Sequence, residues 1–166
     1  QVLDTAYLIK DSMPKVLFVL IGDGMQKEVL KKNAKERNLF NVQFIDPVPK
    51  KEVFKYIMSS DFGMSVLKKV DTFKTIYSNK TFDYMSCQKP ILMVIDGVSR
   101  QLVEEAQAGL FVEPENVEDF AEKIRFYLKN PHLVKQHGLN GYQYAKANFD
   151  REVLATRYLT ELLKVQ

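Results

Sequence analysis

Cysteine, tryptophan and histidine are scarce in this sequence. Among 166 residues there is one cysteine, there are two histidines, and tryptophan is absent. Cys87 therefore has no partner for an internal disulfide, as is typical of proteins from a reducing compartment. His132 and His137 lie five positions apart on a polar segment expected to be helical, so their side chains diverge. We predict no metal site and no bound cofactor.

Several motifs with well-defined chemistry are also missing. Gly22-Asp23-Gly24 begins a G-x-G pattern, but Lys27 stands where a dinucleotide fingerprint has its third glycine. The sequence contains no P-loop, no G-x-S-x-G, no C-x-x-C and no H-E-x-x-H. These absences disfavour hydride transfer, P-loop nucleotide hydrolysis and triad hydrolysis.

Neither charge nor hydropathy shows an extreme. The net charge of +3 comes from 24 basic and 21 acidic residues spread along the chain, which argues against a nucleic-acid partner. No apolar run approaches the roughly 18 residues that a membrane span needs. Hydrophobic residues make up 46% of the chain, enough for a core, and the length predicts a single domain over residues 1–166.

Helical and strand-like segments alternate over most of the chain. Strands are predicted at 15–21, 41–45, 61–66, 91–95 and 110–112, and helices at 1–12, 25–37, 50–58, from 79 onward and at 98–107. This alternation predicts an α/β fold, a Rossmann-like parallel sheet with helices on both faces. The unbroken apolar run at 15–21 is typical of a strand buried on both faces.

Three further helices follow the strands. Asn116, Asn130 and Asp150 are the predicted caps at their starts. Apolar stripes on two helices are expected to pack on the core: Met25, Val29, Leu30 and Ala34 in the helix at 25–37, and Leu154, Tyr158, Leu162 and Val165 in the last helix. For the last stripe, contact with a membrane or a partner is the alternative.

Polar side chains concentrate where the helix at 79 begins. Ser78 or Asn79 can cap it, and its first turn offers free N–H groups and the positive end of the helix dipole to an anion. Lys80 lies in that turn, and Asp83 follows one turn later, within reach of sugar hydroxyls. The segment 68–80 carries four lysines against one aspartate. The alternative is that the polar residues are only caps and the lysines only solvated.

Three loops are expected to meet at one edge of the sheet. Gly22, the loop 46–48 and the lysine-rich loop 68–79 each follow a predicted strand. In a parallel sheet the carboxyl ends of the strands share an edge, and ligands bind there. The expected binding site is therefore at this edge.

The segment S-N-K-T-F-D-Y-M-S, followed by K-P-I-L, resembles the nucleotide-sugar-binding segment of retaining, family-four glycosyltransferases of the GT-B fold. That family usually has two glutamates eight positions apart. Here Asp83 stands at the second position, and Thr75 replaces the first. The letters Y-S-N-K at 77–80 and D-Y-M at 83–85 are most similar to the branch that builds surface polysaccharides.

The resemblance extends along the chain and implies a function for each part of the site. It implies that Asp83 holds the ribose hydroxyls, that the amides of 78–80 bind the diphosphate, and that Lys80 neutralises phosphate charge. The backbone around Val48 would meet the base. The remaining members of the implied nucleotide-sugar site are Gly22, Thr75, Tyr77, Ser78 and Asn79. The implied donor is most often a UDP sugar, and catalysis needs no metal.

The resemblance also implies a larger enzyme. The chain matches the carboxyl-terminal, donor-binding half, whose first strand would precede the helix that begins at residue 1, and an amino-terminal acceptor domain would be its partner. Alone, the domain is expected to bind donor weakly and to transfer no sugar. A cytoplasmic location, with peripheral contact to the inner face of a membrane, and a polysaccharide or lipid-linked acceptor follow from the branch resemblance.

Two other functions remain open from the residues. A UDP-sugar epimerase of the same fold would share the diphosphate site but needs acid and base groups that the sequence does not identify. A non-catalytic Rossmann-like interaction domain would use the lysine-rich loop for a protein partner.

Overall fold

The computed structural model describes residues 1–164 and shows the expected alternation of helices and strands. In chain order its elements are α1 Val2–Ile9, β1 Phe18–Ile21, α2 Lys27–Glu36, β2 Val42–Ile45, α3 Lys50–Ser59, β3 Gly63–Val66, a 3-10 helix Asp71–Thr75, α4 Asn79–Ser86, β4 Ile91–Val94, α5 Val98–Glu105, β5 Gly109–Phe111, α6 Val117–Lys129, α7 Pro131–Phe149 and α8 Arg151–Leu163. The predicted α/β class is confirmed.

All strand pairs are parallel, but their hydrogen bonds form two sheets. β1 pairs with β2, with Phe18 opposite Val42. β4 lies between β3 and β5, with Ile91 opposite Gly63 and Gly109. The expected sheet is therefore divided: within residues 1–164, no strand pairing joins β1 and β2 to β3, β4 and β5.

The core lies on both faces of the three-stranded sheet. Side chains alternate along a strand, so Leu92 and Val94 of β4 face one cluster, and Ile91 and Met93 face the other. The first cluster is formed with α1 and α6 and extends to β1, where Phe18 meets Phe120 edge to face at 6.4 Å. The second is formed with α4 and α5. Helices therefore cover both faces, as predicted.

The strand β1 differs from the prediction. It was expected to be buried on both faces, but Val19 is 37% exposed, and Leu17 just before the strand is 54% exposed, whereas Phe18 is buried. Only one face of β1 meets the α1 and α6 cluster, so only alternate side chains are covered. The stripe predicted for the helix at 25–37 is also mostly exposed: Ala34 is buried, but Val29 and Leu30 of α2 and Met25, which precedes α2, are not.

The caps of the last three helices were largely predicted. Asn116 accepts a hydrogen bond from the amide of Asp119, and Asp150 accepts one from that of Glu152. Asn130 does not cap α7 with its side chain, because its amide group donates to the carbonyl of Phe126.

The expected packing of α8 is wrong. The helix has no buried residue, and its stripe is exposed at Leu154, Tyr158 and Leu162. Val165, the fourth stripe residue, lies outside the described residues. Among the described helices, none combines the length and apolar character required to cross a bilayer.

Candidate functional site

The start of α4 is held by two buried serines. The hydroxyl of Ser65 donates to the hydroxyl of Ser78 at 2.8 Å, and the amide of Ser78 donates to the hydroxyl of Ser99 at 3.1 Å. Ser99 in turn donates to the carbonyl of Ile76 at 2.9 Å. The expectation that Ser78 or Asn79 caps the helix is wrong, since Ser78 is at the cap position but its hydroxyl is bonded to Ser65. The same contacts fix the loop before the helix.

Two backbone amides remain available at this helix end. In the described part of the chain, the amides of Asn79 and Lys80 have no hydrogen-bond partner, and both residues are exposed. The amide of Ser78 is not available, because it donates to Ser99. Of the three amides at 78–80 that were expected to bind a diphosphate, two are therefore free. Free amides at a helix start, with the positive end of the helix dipole, suit an anion.

The carboxylate of Asp83 is held by a lysine at the start of α3. Lys50 places its ammonium nitrogen 2.8 Å from one carboxylate oxygen and 2.6 Å from the other. Lys50 is the first residue of α3 and follows the loop after β2. The pair therefore joins α3 to α4, two helices that each follow a loop expected at the carboxyl edge.

The loops after β1 and β2 lie side by side on this edge. Gly22 has a φ of +139°, and its amide donates to the carbonyl of Ile45 at 3.1 Å. The Lys27 ammonium, 2.6 Å from Asp46, holds the pKa of that carboxyl below its usual value. Val48 follows and is half-buried.

The lysine-rich loop is less positive in the structure than its composition indicates. Lys69 pairs with Glu113 at 2.7 Å, and Lys74 pairs with Asp71 at 2.8 Å. Lys80 has no ion pair among the described residues. Two of the four lysines therefore have their charge offset, Lys74 by a residue of the loop itself and Lys69 by Glu113 outside it.

The other predicted residues of this loop lie beside the helix start. Thr75 ends the 3-10 helix, is exposed, and donates its hydroxyl to the carbonyl of Thr72. The ring of Tyr77 meets those of Phe82 at 6.2 Å and Phe149 at 6.4 Å, edge to face. Tyr77 thus ties the loop to α4 and α7.

The sequence did not single out four residues that shape the site. They are Lys50, Ser65, Ser99 and Gly97. Gly97 has a φ of +86°, and a Cβ at this position would lie 2.1 Å from the carbonyl oxygen of Lys74. Only Lys50 had a usable signal, because it follows a loop already assigned to the carboxyl edge.

A cavity of about 130 Å³ opens beyond the carboxyl ends of β4 and β5. Its lining includes Lys68, Lys69, Phe73, Asp96 and Glu113, and none of the predicted site residues. Within residues 1–164 no cluster of three or more metal-ligating side chains occurs. The arrangement at α4 offers amide donors for an anion and, one turn later, a carboxylate that can accept hydroxyl donors.

Comparison with known sequences places the chain in a family. The sequence model described as "Glycosyl transferases group 1" matches residues 1–144. The uncharacterized glycosyltransferase MJ1178 of Methanocaldococcus jannaschii is 26% identical over 147 residues, which are 88% of this chain and 40% of that protein.

Solved structures with the same fold are those of GT-B glycosyltransferases. HepE of Anabaena, solved in complex with UDP-glucose, superposes with a TM-score of 0.80 at 20% identity over all of this chain and 45% of its own. Sucrose-phosphate synthase from Thermosynechococcus elongatus gives 0.78 at 19% identity, over 98% of this chain and 42% of its own. The chain thus spans less than half the length of these relatives. It belongs to the group 1 glycosyl transferase family and has the Rossmann-like fold of GT-B glycosyltransferase domains.

Proposed function

We propose that this chain is the donor-binding domain of a glycosyltransferase that transfers a sugar from a UDP sugar. One observation carries the proposal: the free, exposed amides of Asn79 and Lys80 and, one turn later, the carboxylate of Asp83 lie on the same helix, inside the segment matched to the family. The structures of HepE and of TarM from S. aureus, which share the fold, were solved with UDP.

Each part of the site has a role in the proposal. The amides of Asn79 and Lys80 bind the diphosphate, and the Lys80 ammonium offsets its charge. Asp83 accepts hydrogen bonds from the ribose hydroxyls, and the backbone at Val48 meets the base. Gly22, Thr75 and Tyr77 line the approach to this site from neighbouring loops.

The chemistry follows from the charge of the leaving group. As the glycosidic bond to the diphosphate breaks, negative charge grows on the departing nucleotide. Amides and a lysine that already face this position stabilise the charge without reorganising, which lowers the barrier. We propose that these groups make a metal ion and a cofactor unnecessary.

We further propose that residues 1–166 form one donor-binding domain and that a separate domain binds the acceptor. The chain covers 40–45% of three of its relatives. Four strands, β1, β2, β3 and β5, each have one edge without a strand partner among the described residues, which suits a further strand that joins the two sheets. Exposed leucines on α8 suit the second domain as a partner.

For the acceptor and the location, the proposal follows the likeness of residues 77–85 to the polysaccharide branch. The acceptor is a growing polysaccharide or a lipid-linked sugar at the cytoplasmic face of a membrane, which the enzyme contacts peripherally. Product analysis with the protein that carries this chain, a radiolabelled UDP sugar and lipid-linked acceptors tests this part.

Titration with UDP and uridine tests the donor site. We expect amide shifts at residues 76–83 on addition of UDP. Lys80→Glu should weaken the binding of UDP by tenfold or more, about 1.4 kcal/mol, and that of uridine much less, because only UDP carries phosphates. Lys15→Glu is the matched control, since Lys15 is exposed and precedes β1, at the opposite edge of the sheet.

Two results would contradict the proposal. Equal losses for UDP and uridine in Lys80→Glu would remove the phosphate role. A folded protein whose residues 76–83 do not respond to UDP would favour an interaction domain instead.

A further inference from the structure

The ion pair with Lys50 occupies the carboxylate of Asp83, which the proposed function assigns to the ribose hydroxyls. The ammonium nitrogen lies 2.8 Å and 2.6 Å from the two carboxylate oxygens. Two neighbouring hydroxyls of a ribose donate most strongly to a carboxylate when each meets one oxygen. Lys50 therefore stands where the ribose would donate, and the inference rests on the proposed role of Asp83.

The pair can be exchanged at low cost. The side chain of Lys50 is 65% exposed, and that of Asp83 is 24% exposed. Water already solvates much of the ammonium, so its attraction to the carboxylate is weak. Ile57 is the only buried residue of α3, so tight packing of the helix does not force the contact.

A negative charge beside Lys50 is favourable whether or not Asp83 is occupied by ribose. Lys50 is the first residue of α3, where the helix dipole disfavours a cation, and Lys51 follows it directly. Its ammonium also lies 5.4 Å from the centre of the Phe54 ring, which carries no net charge. If ribose takes Asp83, a phosphate of the same ligand is the nearest new source of negative charge.

We propose that Lys50 makes the site selective for nucleoside diphosphates over nucleosides. Without ligand, Lys50 holds the carboxylate of Asp83. A ribose diol displaces it, and the released ammonium then pairs with the diphosphate. A nucleoside alone must break the ion pair without replacing it, whereas a nucleoside diphosphate supplies the replacement. Lys50 is in this sense a specificity-determining residue.

The test compares Lys50→Met with Lys51→Met for three ligands: UDP, uridine and 2′,3′-dideoxyuridine. Lys51 is an exposed neighbour without an ion pair among the described residues. Ligand-observed NMR titrations of the protein that carries this chain give the three affinities. Lys50→Met should bind uridine about two- to fivefold more tightly, the range expected for removing competition from an exposed ion pair.

The same variant should bind UDP about threefold or more weakly, because it loses a cation for the diphosphate. Its affinity for dideoxyuridine should stay unchanged, since that ligand has no diol to compete with Lys50. Lys51→Met should change the ratio of the uridine and UDP affinities by less than twofold.

Three results overturn the inference while leaving the proposed function intact: weaker uridine binding in Lys50→Met, an equal gain for dideoxyuridine, or the same ratio change in Lys51→Met. Failure of the proposed function is distinguishable, because the folded wild-type protein would then not bind UDP. Both variants replace exposed side chains, so we expect each to fold. Thermal midpoints equal to that of the wild-type protein verify this.

Discussion

Ser99 is a buried hydroxyl with two partners in the loop before α4. It is fully buried, accepts a hydrogen bond from the amide of Ser78, and donates one to the carbonyl of Ile76. Both partners are backbone groups, so Ser99 fixes the path of the loop independently of the side chains that the loop carries. The free amides of Asn79 and Lys80 follow directly after this fixed loop. Ser99 therefore positions the candidate site without being exposed in it.

Ser99→Ala should destabilise the protein by about 1–2 kcal/mol, because two partly buried backbone groups lose their hydrogen-bond partner. UDP should bind more weakly as well, since the loop before Asn79 becomes mobile. Ser59→Ala is the matched control. Its hydroxyl donates to the carbonyl of Lys55 on an exposed helix surface, and its loss should cost less than about 0.5 kcal/mol. Chemical denaturation measures the free energy of unfolding of both variants. Equal denaturation midpoints for the two variants would contradict the role of Ser99.

The contact between α6 and α7 depends on a tyrosine and a histidine. The hydroxyl of Tyr127 lies 3.0 Å from Nδ1 of His137, and their rings meet edge to face at 5.8 Å. Burial raises the pKa of the Tyr127 hydroxyl and lowers the pKa of His137. Burial therefore disfavours the charged form of both residues. Gly138 beside them lets α7 approach the carbonyl of Gln88.

The free energy of unfolding should decrease as the pH is lowered below about 6.5, the ordinary pKa of histidine. The pKa of His137 is lower in the folded protein, so the unfolded chain binds a proton first as the pH falls, and protonation favours unfolding. The loss begins near 6.5 and is complete below the folded pKa. Thermal midpoints between pH 7.5 and 5 should decline less in His137→Gln than in His132→Gln, where the exposed histidine is replaced. Parallel declines in the two variants would contradict this assignment.

The two sheets differ in how well they are covered. All four residues of β4 are fully buried between two partner strands and two helical layers. β1 and β2 pair only with each other among the described residues, and Leu17 and Val19 are exposed. A two-stranded sheet has little stability of its own. The side of the domain that carries the loops at Gly22 and Val48 is therefore its less stable part.

Hydrogen exchange should reveal this difference. We expect the amides of β4 to be the slowest to exchange and the bonded amide of Phe18 in β1 to exchange at least about tenfold faster, since local opening there disrupts fewer contacts. Exchange of the protein followed by mass spectrometry resolves both peptides. Equal protection of β1 and β4 would indicate that the exposed face of β1 is covered in solution.

Much of the fold and part of the site were predictable from the sequence. Hydrophobic patterning is a local property, and it predicted the order of helices and strands and the parallel class. The residue types at the helix starts predicted the caps Asn116 and Asp150. The segment at 78–86 was enough to place Asp83 one turn into a helix and to indicate the family, which the match over residues 1–144 confirms. The binding roles of the individual residues remain predictions.

Contacts between distant residues were decided only by the tertiary structure. Lys50 meets Asp83 across 33 positions, and Ser99 meets Ser78 across 21. Such pairs leave no periodic signal, since each depends on how two loops pack at the edge of a sheet. Pairing between strands is equally non-local, so the division between β1 and β3 and the exposed stripe of α8 could not be predicted from patterning. The sequence by itself determined which segments form helices and strands, because hydrophobic patterning is local, and packing decided which polar groups remain free for a ligand.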